Sequence, residues 1–134
     1  MAKLTTIEGV GEVAAKKFKK AGVGSVEALL KKGSTPAGRK QLAEAINMDP
    51  KKLLRFVNHA DLMRVKGIGG EYAELLEAAG VDTVVELSKR SSANLHAKMA
   101  EVNGKKKLVR QLPALSQVDG WVKQAKGLGR GVDY

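Results

Sequence analysis

The sequence predicts an all-α fold made of two copies of one unit of about 58 residues, packed together as one compact helical body. Apolar residues recur at helical spacing, and no segment alternates apolar and polar residues over the length of a strand. Residues 4–30 also align without a gap with residues 62–88, and nine of the 27 aligned pairs are identical. Five of those identities involve glycine or its neighbour, so the copies share backbone geometry as well as core positions.

The duplication sets the expected organisation of the chain. We expect a first repeat over residues 1–61 and a second over residues 62–126. The glycine-rich segment 127–134 follows, and its composition predicts a flexible C-terminal tail.

The first long helix of each copy is predicted by its apolar face. Over residues 12–21, Ala14, Phe18 and their apolar neighbours recur on one side of a helix, and the second copy repeats this face. Gly22 and Gly80 follow the two helices, at the position where a left-handed residue commonly ends a helix.

The remaining helices are predicted from capping signals. Ser25 and Thr83 can N-cap the next short helices, with Glu86 completing a capping box behind Thr83. Asp49 before Pro50 predicts another helix start. We expect further helices over 35–46, 50–62, 92–103, 105–112 and 116–126.

Two short loops of the form Gly-apolar-Gly precede the paired long helices, at Gly9-Val10-Gly11 and at Gly67-Ile68-Gly69. Glycine permits a tight turn and lets a ligand approach the main chain. The middle aliphatic residue should point inward, and the backbone N–H groups of Val10, Gly11 and Glu12 should face outward at a helix start. Such a group of donors suits a phosphate oxygen.

The repeated pattern Leu-x-x-Ile-x-Gly-Val-Gly-x-x-x-Ala resembles the helix-hairpin-helix motif of DNA repair, recombination and transcription proteins. The longer unit, through Ala-Gly-Val-x-x-Val-x-x-Leu, resembles the helical N-terminal domains of RecA-like recombinases. The span 4–126 is similar to an uncharacterised bacterial family of tandem helix-hairpin-helix proteins. Its features appear here as Ala60-Asp61-Leu62-Met63-Arg64 and Trp121-Val122-Lys123-Gln124-Ala125-Lys126. The resemblance implies contact with nucleic-acid backbones, and it brings no catalytic residue.

The charges behind the two loops depart from the usual motif, which carries Lys or Arg in the first turn. Glu12 and Glu71 occupy that turn here. In the first copy Lys16, Lys17 and Lys20 follow, whereas in the second copy an acidic stripe follows, formed by Glu71, Glu74 and Glu77. Carboxylates repel phosphate, so the first loop is the better candidate.

The net charge of +10 favours an anionic partner, with nucleic acid first and a membrane surface second. The densest basic run is Lys105-Lys106-Lys107 with Arg110, and a solvated helix face is the alternative interpretation of that run. The candidate nucleic-acid-binding residues are therefore Gly9, Val10, Gly11, Lys16, Lys17, Lys20, Gly67, Ile68, Gly69, Lys105, Lys106, Lys107 and Arg110.

Several classes of function find no support in the sequence. Cysteine is absent, and His59 and His96 lie outside any cluster with metal-ligand spacing, so we expect no metal, no cofactor and no catalytic activity. No segment has the length and apolarity of a signal peptide or a membrane span, which makes the cytoplasm the expected location.

Two functional hypotheses remain open at this point. The first is a non-catalytic, sequence-independent nucleic-acid-binding module that contacts phosphates, with duplex DNA as the expected ligand. The second is a protein-interaction adaptor in which the loops only build the core and the stripe of Glu71, Glu74 and Glu77 meets a basic partner.

Overall fold

The computed structural model describes residues 2–134, and within them every regular element is helical, which confirms the all-α fold. A 3₁₀ turn at Leu4–Thr6 precedes eight α-helices in the described residues. These helices are α1 (Glu12–Lys20), α2 (Val26–Gly33), α3 (Pro36–Ile46), α4 (Pro50–Leu62), α5 (Gly70–Ala78), α6 (Val84–Ser88), α7 (Ser92–Lys106) and α8 (Leu115–Leu128).

Glycine loops of similar backbone conformation occur in the first half of the chain (up to residue 61) and in the second half (from residue 62). Each half opens with a glycine loop, and the first glycine of each is left-handed, with φ of +92° at Gly9 and +99° at Gly67. The helix that follows ends at another left-handed glycine, Gly22 or Gly80, as the sequence predicts.

Two groups of buried apolar side chains fill the interior, one in each half. The first includes Phe18, Leu29 and Phe56, and the second includes Leu76 and Trp121 with their apolar neighbours. The first group includes Ala60 and also Val132 from the C-terminal segment, and the second begins at Leu62.

The helix expected over 105–112 is absent, and this prediction is wrong. Helix α7 instead runs through Asn103 and Gly104 to Lys106, and Lys107 ends it with a left-handed φ of 51°. The Asn103 side chain then accepts a hydrogen bond from the Val109 N–H (3.0 Å) and donates one to the Val109 carbonyl (3.2 Å). These bonds take the place of helical ones and hold residues 107–114 as an extended connector to α8.

The C-terminal tail, expected to be flexible, is packed against the first half. Helix α8 extends to Leu128, and the tail beyond it places Val132, only 2% exposed, in the core of the first half. Asp133 N–H donates to the Ser34 carbonyl (2.7 Å), and the Tyr134 hydroxyl donates to Asn58 (3.2 Å). Apolar burial and these bonds overcome the loop-like composition of the segment.

Two of the three predicted N-caps form as expected. Ser25 accepts a hydrogen bond from Ala28 N–H, and Asp49 accepts one from Lys51 N–H. The Thr83 hydroxyl bonds to the Glu86 side chain instead of to the backbone. The first N–H of α6 is bonded by a distant carboxylate, described below.

Candidate nucleic-acid interface

The middle residue of each glycine loop faces the interior, as predicted. The side chains of Val10 and Ile68 are each 4% exposed. Their N–H groups are also occupied, because Val10 donates to the Ile7 carbonyl (3.0 Å) and Ile68 donates to the Val65 carbonyl (3.1 Å). The Val10 N–H was expected to be a donor to phosphate, and it is bonded internally instead.

The next three backbone N–H groups of the first loop, those of Gly11, Glu12 and Val13, are free. None has an acceptor among the described residues, since the first turn of a helix lacks intrahelical partners. Gly11 is an extended N-cap, and Val13 is 73% exposed. The start of α1 therefore presents a row of solvent-facing donors at the positive end of the helix dipole.

The free N–H groups have an acidic side chain beside them at the loop, whereas lysines follow further along α1. The exposed Glu12 carboxylate lies in the first turn of α1. Lys16, Lys17 and Lys20 are exposed, and none forms an ion pair within residues 2–134. Helix α1 thus carries free positive charge beginning one turn beyond its N-terminus.

The second glycine loop is exposed at Gly67 and Gly69, and its backbone is also bonded to α8. The Gln124 side chain accepts from Lys66 N–H (3.1 Å) and donates to the Lys66 carbonyl (3.3 Å). A Cβ on Gly67 would lie 2.9 Å from Trp121 Nε1. The α-carbon of Gly70, the first residue of α5, packs so tightly against the Thr6 carbonyl that a side chain would not fit.

The acidic stripe of α5 is largely engaged within the molecule. Arg55 of α4 lies 2.9 Å from a Glu77 oxygen and 3.5 Å from a Glu74 oxygen. Burial raises the pKa of Glu74, and the nearby Glu8 carboxylate adds to this. Two of the three carboxylates proposed to meet a protein partner therefore join α4 to α5.

His59 lies beneath this ion pair and is fully buried. Its Nε2 is 3.3 Å from a Glu77 oxygen, without the geometry of a hydrogen bond, and Nδ1 has no partner among the described residues. Burial lowers the pKa of His59, and the Glu77 carboxylate opposes that shift. His59 therefore belongs to the boundary between the halves and not to an exposed site.

The basic run at the end of α7 belongs to the second half. Lys105 lies 3.8 Å from Glu101, and the connector behind the run is fastened where the Tyr72 hydroxyl donates to the Gln111 carbonyl (3.2 Å). No described hydrogen bond or ion pair joins Lys105, Lys106, Lys107 or Arg110 to the first loop. The sequence-predicted site residues thus fall into separate regions.

Asp61 and Arg64, quoted above for the family resemblance, have a structural task. Buried Asp61 accepts from the N–H of Val84 (2.8 Å), the first residue of α6, and pairs with Arg64 (2.7 Å). Arg64 in turn donates to the carbonyls of Leu128 and Gly129 at the end of α8. The sequence pattern marked these two residues, but their contacts with α6 and α8 are visible only in the folded structure.

Residues 2–134 contain no group of three or more His, Asp or Glu side chains placed to hold a metal ion. None of the helices described has the length and apolarity needed to cross a membrane.

Fold and site together define an all-α protein in which a glycine loop opens a lysine-bearing helix. A family model described as a domain of unknown function, DUF4332, matches residues 8–128, and the chain belongs to that family. No curated protein and no solved structure matches the chain.

Proposed function

We propose that this protein is a non-catalytic, cytoplasmic module that binds duplex DNA through the phosphate backbone without reading sequence, and that its halves are helix-hairpin-helix repeats. The observation that supports the proposal is the row of free N–H groups at Gly11, Glu12 and Val13. A helix start with exposed donors holds a phosphate oxygen by hydrogen bonds and by the helix dipole, and neither depends on the base.

The free lysines of α1 supply the second component of binding. Lys16, Lys17 and Lys20 have no internal carboxylate partner, so a phosphate near α1 meets no competing ion pair there. Each neutralised phosphate releases condensed counterions, which gives a slope of about −0.9 in a plot of log affinity against log salt concentration on duplex DNA. The basic run 105–110 contributes long-range attraction and is not a direct neighbour of the loop.

The second glycine loop is assigned a structural task in this proposal. Gln124 and Trp121 of α8 hold it, and Glu71 adds a repelling carboxylate in the first turn of α5. The adaptor hypothesis is weakened by the same part of the molecule, because Glu74 and Glu77 are paired with Arg55.

A pair of substitutions at Glu12 tests the amide donors separately from charge. Both Glu12→Gln and Glu12→Pro remove the carboxylate, but only the second removes the N–H. Proline is tolerated at the first helical position, which Glu12 occupies, so the fold should survive. We expect Glu12→Gln to bind duplex DNA more tightly than the wild type, and Glu12→Pro to bind more weakly than Glu12→Gln.

The measurement is a salt titration of binding to a duplex of arbitrary sequence, with circular dichroism to verify the fold of each variant. Non-specific binding has dissociation constants of about 1 to 100 μM at physiological salt, so binding should be visible well below that salt concentration. Absence of binding by the wild type at low salt would remove the proposal. Equal affinities of Glu12→Pro and Glu12→Gln would show that the first loop is not the contact.

A further inference from the structure

A groove continues from the first glycine loop along α1. It consists of three adjoining depressions, with volumes of about 580, 410 and 600 Å³. The first and second share Lys17 and Asn47, and the second and third share Ala21. We name this feature the α1 groove; it runs from Gly11 past Lys17, Lys20 and Asn47 to Lys31 and Lys32.

The charge of the α1 groove changes along its length. Glu12 and Asp49 line the depression at the loop end together with Lys17 and Lys52. Beyond that point no acidic residue lines the groove, and the charged side chains are all lysines: Lys17, Lys20, Lys31 and Lys32. None of these four forms an ion pair among the described residues, so this stretch is complementary to a polyanion.

The walls of the groove are shaped for a backbone rather than for a base. Its two inner stretches are lined, apart from the lysines, mainly by small side chains such as Ala21, Ala45, Gly22 and Gly38. No aromatic ring lines any part of it, which removes the usual means of stacking a base.

The second half differs at two positions that align with residues of the α1 groove. Tyr72, which aligns with Ala14 of the first half, is partly exposed and its hydroxyl bonds to Gln111 of the connector. Leu75, which aligns with the groove residue Lys17, is fully buried. Three residues, 47–49, join α3 to α4, whereas eight residues, 107–114, join α7 to α8 and pack on their own core. The exposed lysine wall of the α1 groove is therefore not repeated at these positions of the second half.

From these features we infer that one strand of a nucleic acid continues from the first loop along the α1 groove, and that Lys31 and Lys32 contact its phosphates. The inference rests on the proposed function and extends the contact well beyond the loop. The eleven steps from Gly11 to Gly22 span about 16 Å at 1.5 Å per helical residue, which exceeds the reach of one phosphate.

The test compares two double variants that remove the same charge. Lys31→Gln/Lys32→Gln neutralises the far end of the groove and leaves the first loop and α1 intact. Lys89→Gln/Lys126→Gln is the matched control, since these lysines are also exposed at helix C-termini and free of described ion pairs. Each protein is titrated with duplexes of roughly 6 to 24 base pairs, at about 3.4 Å per step, over a range of salt concentrations.

We expect Lys31→Gln/Lys32→Gln to reduce the salt slope by about 1 to 2. The loss of affinity should grow with duplex length, because short duplexes occupy only the loop. The control should keep the wild-type slope and length dependence.

Three results would overturn the inference, and they separate it from the proposed function. If the wild type fails to bind, both fall. If the Glu12 pair behaves as proposed while Lys31→Gln/Lys32→Gln matches the control, the groove is not the path and the loop contact stands. If polyglutamate of equal charge competes with DNA for the wild type but not for Lys31→Gln/Lys32→Gln, the groove takes an acidic peptide instead.

Discussion

The first and second glycine loops share their backbone conformation and differ in what lies against them. The ring of Phe56 lies beside Gly9, and the indole of Trp121 lies beside Gly67. Three residues after each aromatic residue, the first half carries His59 and the second carries Gln124, which bonds to the loop backbone. A duplicated local sequence thus sets the turn, and residues from the fourth helix of each half decide how firmly the turn is held.

The largest effect on stability is expected from the loss of Asp61, a buried carboxylate that bonds to α6 of the second half. The first N–H of α6 bonds to Asp61, whereas the equivalent N–H of α2, that of Val26, bonds to the Ala2 carbonyl (3.0 Å). Asp61→Ala leaves the α6 N–H without its acceptor and Arg64 without its carboxylate partner, and should lower the free energy of unfolding by about 3–5 kcal/mol. Urea denaturation measures this.

The surface variant Glu27→Ala is the control, because Glu27 accepts its hydrogen bond from Ala2 N–H in an exposed position. It should change stability by less than about 0.5 kcal/mol. Similar losses from Asp61→Ala and Glu27→Ala would contradict the view that this carboxylate is a structural centre.

The next effect compares the two left-handed glycines directly. Alanine at either position adopts an unfavourable positive φ, which costs roughly 1–2 kcal/mol. The new Cβ would also lie 2.9 Å from Trp121 Nε1 at Gly67, but 3.2 Å from Phe56 Cε1 at Gly9. We therefore expect thermal unfolding to show a greater loss for Gly67→Ala than for Gly9→Ala.

DNA binding should rank these two variants in the opposite order. Gly9→Ala disturbs the loop proposed to hold phosphate, and Gly67→Ala disturbs the loop held by α8. Equal losses of binding from both, measured at a temperature where both are folded, would argue against the asymmetry between the loops.

A third difference between the halves appears with pH. Burial lowers the pKa of His59 below its ordinary value of 6.5, against the opposing Glu77 and Asp82 carboxylates and with a further lowering from Arg55. The unfolded chain therefore binds the proton more readily. The contribution of neutral His59 to stability is full above about pH 6.5 and is lost as pH falls from there toward the folded-state pKa.

Replacing His59 by Gln, the residue of the second half, should reduce this dependence. The pH dependence of stability is measured from denaturant midpoints between about pH 7 and pH 5, because this range brackets the ordinary histidine pKa. The control is His96→Gln, at a partly buried residue that bonds to the Pro113 carbonyl. This variant should keep the wild-type dependence of the denaturant midpoint on pH. An unchanged slope in His59→Gln would assign the pH dependence to other groups.

The smallest effects on stability are expected at the N-cap residues of α2 and α6. Ser25 bonds to a backbone N–H, so Ser25→Ala should cost about 1 kcal/mol. Thr83 bonds only to the Glu86 side chain, at 3.4 Å, so Thr83→Val should cost less than Ser25→Ala. Equal losses in urea denaturation would indicate that Thr83 caps α6 in solution.

The parts of the fold that the sequence predicted are those with local causes. The left-handed Gly22, the cap at Asp49 and the inward-facing Val10 depend on neighbours within a few residues. The cap of α6 was missed because its acceptor, Asp61, lies 23 residues away, and the bonding of the second loop to α8 was missed because Gln124 lies 58 residues from Lys66.

The candidate site divides in the same way. The donors of the first loop follow from a short glycine pattern, although Val10 proved to be bonded internally. The α1 groove draws Lys17 and Lys31 from two helices and Asn47 from the connection between α3 and α4, and no spacing in the sequence reveals that they line one surface. Conversely, Glu77 looked available on a helical face and is paired across the boundary between the halves.

Val132 lies in the core of the first half, and this position has a consequence for the order of folding. During synthesis the first 61 residues emerge early, yet their apolar interior is complete only when residue 132 has been made. Contacts between such distant parts of a chain form late, because a long loop must close before they are gained. We therefore expect an isolated first half to expose an apolar gap, which the glycine-rich segment closes only as the last step of assembly.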